Sequence, residues 1–463
     1  MRCWVLVSIL CLSIAAAGCL VGPDYKRPPT GVPDAFRAQI DTPAAGRSLG
    51  DEPWMQVFPD TVLQSLIQTA LLQNYDVRLA AARILEAQAQ LGITRADQFP
   101  QTSAGVDVLG QRPAAALGFP SRNIAAVAVQ GSMSWELDFW GRYRRATEAA
   151  RAILLASEWG RRAVLTTLVS QVSEAYFGLR ALDAELDISR RTLASRQESL
   201  RLTQVREQGG ATSLVDVRQA EQLVYSATGE IATLERQIAQ QENFISLVLG
   251  NNPGPIGRGL GLTEQPHAPE VPAGLPSVLI ERRPDIQQAE QQLVAANAQI
   301  GVARSAYFPN IALTSSGGFE STALAALFAG TNAIWSATLA ATEPLFTAGR
   351  TRSQVALAEA RREEAIVVYQ QTIRQAFREV ADALVGYRKL REFREQQTLL
   401  FASAQDARRL ADVRYQGGAT SYLEVLDADT RLFEAELGLA QAQLTELTGL
   451  VELYRALGGG WTA

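Results

Sequence analysis

Late in the chain, Glu424 and Asp427 stand three residues apart, a spacing that puts both carboxylates on one face of a helix. Copies of that face converging on an axis would form acidic rings, which attract cations and can act as a selective gate. The plainer reading is a solvated helix start, where acids are favoured by the helix dipole. Leu423, Arg414 and Tyr415 flank the pair, and Asp216 offers a further carboxylate in the first half of the chain. Catalytic chemistry is poorly supplied. Among 463 residues there is one histidine, His267, and positive charge is nearly all arginine, Lys26 and Lys389 being the only lysines. Cys3, Cys11 and Cys19 are the only cysteines, so no disulfide framework can hold the rest of the chain. No Ser/His/acid set, metal-spaced His or Cys cluster or phosphate-cradling loop is present. The pattern points away from an enzyme, with no cofactor or metal expected. A net charge of -5 recommends no nucleic-acid partner.

The start of the chain reads as an address. Arg2 precedes an almost wholly apolar stretch, Cys3 to Ile14, and the small residues Ala15 to Gly18. This predicts a signal peptide over 1–18, too short to be a membrane-spanning helix. Ala16-Ala17-Gly18-Cys19 resembles a bacterial lipobox, which implies a covalent lipid (diacylglycerol and an N-acyl chain) on Cys19 as the mature amino terminus. Several acyl chains on one residue anchor firmly. The alternative is an ordinary cleaved signal with an incidental cysteine. Leu20, where an aspartate would favour inner-membrane retention, implies outer-membrane sorting. Prolines and a glycine between Val21 and Pro29 predict an extended, non-helical stretch, at the start of a lipidated amino-terminal tether over 19–59. No later segment offers 18 uninterrupted apolar residues, so no transmembrane helix is expected.

Beyond the tether the chain is written twice. Gln208-Gly209-Gly210-Ala211-Thr212-Ser213 returns as Gln416-Gly417-Gly418-Ala419-Thr420-Ser421, and Gly141-Arg142 returns as Gly349-Arg350 at the same offset. Phe99-Pro100 returns as Phe308-Pro309 one residue further off, so the length difference falls before Gly141, where hairpin loops tolerate it. Two repeats follow, 60–250 and 276–458, joined by a Pro- and Gly-rich linker 251–275 that carries His267, with a tail at 459–463.

Each repeat has the same order of elements. A helix comes first, from about Leu63 to Asp97 and from about Arg283 to Tyr307. Pro284 suits a first helical turn. Two short strand candidates follow, about 101–112 and 124–138, then about 310–319 and 334–345. Their alternation is weak, as is usual for membrane β-barrel strands. Then come long helices, about 142–207 and 350–415. In the first, Leu165, Val172, Leu179, Leu186, Leu193 and Leu200 recur every seven residues, with Leu168, Ala175 and Leu182 in complementary places. In the second, Ile373, Val380 and Tyr387 keep the register until Arg394 breaks it. After each glycine turn a returning helix repeats the pattern. Val217, Val224, Ile231, Ile238 and Ile245 carry it in one, and Val425, Leu432, Leu439 and Leu453 in the other, with Glu446 as an exception.

Four strands cannot close a barrel, and an open sheet edge cannot face lipid, so the strands must be shared among chains. The long helices exceed the bilayer and must project into water. At this point the residues meet a known pattern: Gly22-Pro23-Asp24-Tyr25-Lys26-Arg27-Pro28, Trp54 to Leu66, Trp135 to Arg142, Leu279 to Ile286, and both glycine turns. Across essentially the whole mature chain the sequence resembles the TolC-like outer membrane efflux proteins, in the lipoprotein branch with OprM and NodT. Pro344 to Arg350 departs slightly, since a more polar or glycine pair is usual where Thr347-Ala348 stands.

The resemblance implies a mainly α fold with a membrane β-barrel. A homotrimer would close a 12-stranded barrel from four strands per chain, continued by a periplasmic α-helical barrel. Such a duct would serve a periplasmic adaptor and an inner-membrane RND-type transporter. Glu424 and Asp427 resemble the acidic ring of the family's periplasmic aperture, and Leu423 its apolar constriction. Arg414 and Tyr415 resemble residues that latch this hairpin to its neighbour, with Asp216 as acceptor. The turns at Gly209, Gly210, Gly417 and Gly418 would take left-handed backbone and dock an adaptor's hairpin. Ordinary packing is the plain reading of Leu423 and Tyr415, and tight turns that of the glycines. Protein secretion of type I is the nearest alternative, and a pore-free coiled-coil lipoprotein a more distant one.

Overall fold

The computed structural model describes residues 20–37, 48–112, 124–265, 274 and 276–461. Cys19, His267 and the expected loop around 113–121 lie outside them. The first repeat comprises α1 (Thr61–Gln73), α2 (Tyr75–Ala96), β1 (Gln101–Gln111), β2 (Ile124–Glu136), α3 (Arg142–Gln208) and α4 (Leu214–Val248). The second comprises α5 (Pro276–Arg282), α6 (Pro284–Ser305), β3 (Asn310–Ser321), β4 (Ala333–Thr342), α7 (Arg350–Gln416) and α8 (Tyr422–Ala456). The chain divides into two compact units. Among the described residues, one takes in those within 20–29, Arg83–Glu158 and Gln288–Gln371; the other takes in those within 30–82, Trp159–Gln287 and 372–461. At 67 residues each, α3 and α7 run about 100 Å and contribute to both units.

One expectation needs correcting: the opening helix of the first repeat is two helices. Asn74 is extended (φ -58, ψ 137), and its side-chain Oδ1 caps the second helix by accepting from the Asp76 and Val77 amides at 2.7 and 3.2 Å. Its amide group donates to the Val248 carbonyl at 2.8 Å, so a capping residue in mid-pattern ended one helix and began the next. In the second repeat Arg283 stands at the matching break, and Pro284 opens α6.

The unit that holds the strands is built on one antiparallel sheet in the order β1-β2-β3-β4. Its register aligns side chains in rows, and cross-strand partners share a face. Ser103, Ser132, Ser316 and Ser336 form one row, and Gln101, Ser134, Thr314 and Thr338 the next row on the same face. The serine hydroxyls bond across the row, Ser103 to Ser132 at 2.8 Å and Ser316 to Ser336 at 2.9 Å. On the opposite face Val106, Val129 and Phe319 align, as do Trp135, Leu313 and Leu339. Strand ends are tied by aromatics. The Trp135 indole donates to the Gln98 carbonyl at 3.0 Å, and the Trp140 indole donates to the Pro309 carbonyl at 2.8 Å while stacking on Phe308. Asp138 caps α3, accepting from the Tyr143 and Arg144 amides at 3.1 and 2.9 Å. At the β4 exit Ala348 has φ 50, the only non-glycine left-handed residue among those described. That is the place where a glycine or polar pair is usual in the pattern the chain resembles.

Tether residues 20–29 are docked in this same unit. Arg27 donates two bonds to Glu290 at 2.7 and 2.8 Å, and Tyr25 a third at 3.0 Å. Burial first, then Glu290, pushes the Tyr25 hydroxyl up, and the same two causes raise Tyr369 to about 12. The buried Arg145 holds Asp24 at 2.8 Å and the Gly22 carbonyl at 3.3 Å. Gly22 has φ +103, and a Cβ there would come within 2.5 Å of the Gly301 Cα, so both glycines are needed for the approach.

The second unit is the helical core. Leu63 and Ile67 of α1 are fully buried with Val169, Val172, Tyr176 and Leu179 of α3 and Leu447 and Val451 of α8. Truncating such a residue costs about 2–5 kcal/mol. Asp60 caps α1 and is encircled. Burial alone would raise its carboxyl, but bonds from Gln265, Tyr176 and the Leu63 and Val62 amides outweigh that and hold it below 3.8. The heptad seam is tight from Leu168 to Leu179 and half-buried at Leu193 and Leu200. The two charged interruptions of the seams, Arg394 and Glu446, form an ion pair with each other, and Glu446 is almost wholly buried.

Candidate functional site at the hairpin tips

Both tips close by the same mechanism. After α3, the Gly210 amide donates to the Glu207 carbonyl at 2.9 Å and the Ala211 amide to Arg206 at 2.8 Å; after α7, Gly418 and Ala419 repeat this with Tyr415 and Arg414 at 3.1 and 2.9 Å. These paired bonds satisfy the last carbonyls of the helix. Only the second glycine of each pair is left-handed, Gly210 at φ 73 and Gly418 at φ 71. The expectation of left-handed backbone at Gly209 and Gly417 is therefore corrected: they are the helix caps, and only the residue beyond must reverse the chain.

The residues after each turn differ in what they hold. At the first tip Ser213 and Asp216 cap each other, the Asp216 amide donating to Ser213 Oγ at 3.3 Å and the Ser213 amide to Asp216 Oδ2 at 3.0 Å. Thr212 also donates to Asp216 Oδ2. The Thr212 bond first, then those from Ser213, holds this carboxyl below its ordinary value. At the second tip Ser421 makes no side-chain cap. Glu424 instead accepts from Thr420 and pairs with Arg414 at 2.8 Å. Asp427 pairs with Arg431 at 2.8 Å, and Leu423 is 61% exposed.

Arg414 and Glu424, expected in separate roles, are thus brought together. Tyr415 packs on Tyr422 with ring centroids 5.3 Å apart, and the Arg206 guanidinium lies 4.7 Å over its ring. Asp216 is engaged by Thr212 and Ser213 rather than by Arg414 or Tyr415 within this chain.

Sequence reasoning missed the most buried polar contact near the tips. Arg196 of α3 pairs with Asp429 of α8 at 2.9 Å, and Arg408 of α7 reaches the same carboxylate at 3.4 Å. Ser199 and Tyr422 share a hydrogen bond of 2.6 Å beside them. A signal for it existed. The complementary heptad series Leu168, Ala175, Leu182 continues through Ser189, Arg196 and Thr203, polar residues that are all buried. A polar residue in a seam position needs a partner.

Comparison with known proteins agrees with this architecture. The profile of the family described as "Outer membrane efflux protein" matches residues 66–251 and 275–459. The toluene efflux pump outer membrane protein TtgC of Pseudomonas putida is 38% identical over 98% of this chain and 96% of its own. The probable outer membrane lipoprotein SilC of Salmonella typhimurium is 36% identical over 98% of both chains. The crystal structure of the open state of the MtrE outer membrane channel of Neisseria gonorrhoeae superposes with a TM-score of 0.88 at 31% identity, covering 96% of this chain and 99% of that one. The chain belongs to the outer membrane efflux protein family. It is an outer-membrane efflux channel, and its mainly helical fold with one four-stranded sheet is that of such channels.

Proposed function

We propose that three copies of this chain close a 12-stranded barrel in the outer membrane, continued by a periplasmic α-helical barrel, as the exit duct of a tripartite efflux pump. The sheet carries this reading. Four strands leave β1 and β4 as edges, and an edge in lipid leaves several unpaired backbone groups that each cost several kcal/mol. Pairing β1 of one copy with β4 of the next removes every edge. A lipid on Cys19 anchors each chain. An inner-membrane RND-type transporter supplies the energy, and a periplasmic adaptor docks on the tips at Gly209, Gly210, Gly417 and Gly418.

The aperture is formed by Glu424 and Asp427, with Leu423 as its apolar constriction. Arg414 and Tyr415 latch to Asp216 of the neighbouring copy. The bonds that Asp216 makes in its own chain all fall on Oδ2, which leaves Oδ1 to accept from a neighbour. Single-channel conductance of the purified lipoprotein in planar bilayers tests the reading, wild type beside a Glu424→Ala, Asp427→Ala double variant. Low wild-type conductance that rises in the variant supports both pore and gate. Protein confirmed as a folded trimer that never conducts overturns the duct.

A further inference from the structure

A cavity of about 450 Å³ lies within the helical unit, walled by α3, α8 and the linker turn Leu262–Glu264. That is the size of an ordinary small-ligand pocket. Its floor is apolar. Ile188, Leu262 and Ala440 are buried there, with Leu439 and Phe401 half-buried beside them. Three carboxylates, Asp183, Asp187 and Glu436, share the wall with two guanidiniums, Arg180 and Arg191. Two of the carboxylates are well paired. Asp183 holds Arg180 at 2.6 Å and Arg258 at 3.0 Å, and Asp187 holds Arg191 at 3.1 Å. Glu436 is the exception. Its side chain is only 18% exposed, and its one paired cation, Arg191, stops at 4.0 Å. Among the described residues no group donates a hydrogen bond to it. Burial first lifts its carboxyl above the ordinary value; Arg191 opposes this, and Asp429 and Asp187 add to it. Helix packing does not call for the charge. The equivalent residue of the first repeat is Thr228, whose hydroxyl donates to the Val224 carbonyl of its own helix at 2.9 Å.

We infer that this cavity binds a small amphipathic organic cation, a protonated amine whose N–H groups pair with Glu436 and whose apolar body covers Ile188, Leu262, Leu439 and Ala440. A carboxylate short of donors beside apolar surface is costly, and a ligand that brings charged N–H groups removes that cost. An anion would meet Glu436 with like charge. A neutral apolar molecule would bury the carboxylate further without a donor. An aromatic body gains a contact with the Phe401 ring as well. Arg191 is the ligand's competitor, and its bond to Asp187 on its own helix keeps it from closing on Glu436. An occupant touches α3 of the first repeat, α8 of the second and the linker between them, so it staples three segments far apart in sequence. Glu436 follows Asp427 by nine residues on α8, about 14 Å along the helix. The site is therefore separate from the aperture residues, and the inference goes beyond the duct without depending on it.

The test is equilibrium dialysis of the full lipoprotein in lipid nanodiscs against 1-naphthylmethylamine, with the neutral alcohol of the same shape, 1-naphthylmethanol, alongside. Empty nanodiscs supply the background. The amine should bind saturably, one per chain, and about tenfold tighter than the alcohol, the size of one charge-assisted hydrogen bond. Glu436→Gln should weaken the amine about tenfold and leave the alcohol unchanged. Leu439→Trp fills the cavity and should weaken both. Glu434→Gln removes an exposed acid of the same helix and should change neither. Arg191→Gln, at an exposed position, removes the competitor and should tighten the amine. An amine that binds no better than the alcohol, or equally well to wild type and Glu436→Gln, overturns the inference. Should Glu436→Gln not fold, unchanged or weaker binding in Arg191→Gln overturns it instead. A folded trimer that binds the amine but never conducts sinks the duct alone, and one that conducts without binding sinks this site alone.

Discussion

The two hairpin tips share a hexapeptide and a turn geometry yet are held by different forces. At the first, Asp216 folds back on Ser213 and the tip is closed by local hydrogen bonds. At the second, the equivalent residue is Glu424. One methylene longer, it reaches Arg414 across the hairpin instead of capping Ser421. The same contrast holds a turn further on. Asp429 is gripped by Arg196 and Arg408 between helices, whereas its counterpart Glu221 pairs with an exposed Arg218 one turn away on its own helix. The glycine-bearing hexapeptide decides the path of the chain. The acid that follows decides whether the tip is a local cap or part of an electrostatic network. A network of ion pairs is the arrangement that another molecule or a change of charge can disturb.

The largest effect should come from that network. Asp429→Ala leaves Arg196 buried without its partner and should destabilise by about 3 kcal/mol or more, read as denaturant unfolding of the helical signal. Glu221→Ala at the matching place should change little. Equal losses at both positions would erase the contrast. Next come the turns. Gly210→Ala and Gly418→Ala force a side chain into left-handed backbone and should each cost about 1–2 kcal/mol. Gly209→Ala and Gly417→Ala should be tolerated, since a Cβ there meets nothing closer than 3.5 Å. A Gly417→Ala variant that folds as wild type but loses export in cells would separate adaptor docking from turn formation.

Smaller still is Glu424→Asp, which makes the second tip imitate the first. It should gain a reciprocal cap with Ser421 and lose the Arg414 pair, nearly cancelling in stability because the pair is partly exposed. Bilayer conductance should nonetheless rise if the pair helps hold the aperture. The smallest effect is a pH dependence. Asp216 is held below its ordinary value of 3.8, so its cap stabilises the first tip fully above that pH and is lost as pH falls through the depressed folded value. Hydrogen-exchange protection at the start of α4 should fall over that window in wild type. It should not do so in Asp216→Asn, whose amide does not titrate there.

Much of the architecture was legible because it is written in local spacing. The strands lie within a few residues of where short small-residue runs placed them, and the long helices end one residue beyond expectation. The split at Asn74 was hidden because the apolar period runs on across it. Only the side chain's grip on Val248, far away in sequence, gives it a reason to cap rather than continue. Of the tip residues, Glu424 and Asp427 were visible as a spacing, while their partners were not. Arg394 and Glu446 stood out as faults in two separate seams, and no feature of either seam said that each answers the other. The motifs that carried the family resemblance are largely joints. Arg283 ties α6 to Glu379 of α7 at 2.8 Å, Trp140 closes a strand exit, and Arg27 docks the tether on Glu290.

By itself the sequence determined the repeat, the glycine turns, the heptad seams and the approximate strand positions, because each depends on neighbours within a turn of helix or a pleat of strand. Tertiary structure decided which strand residues share a row, which buried charges meet and which carboxylate caps rather than bridges. Those outcomes depend on the register between segments far apart in the chain. A shift of one residue between two strands would turn the serine row to the other face.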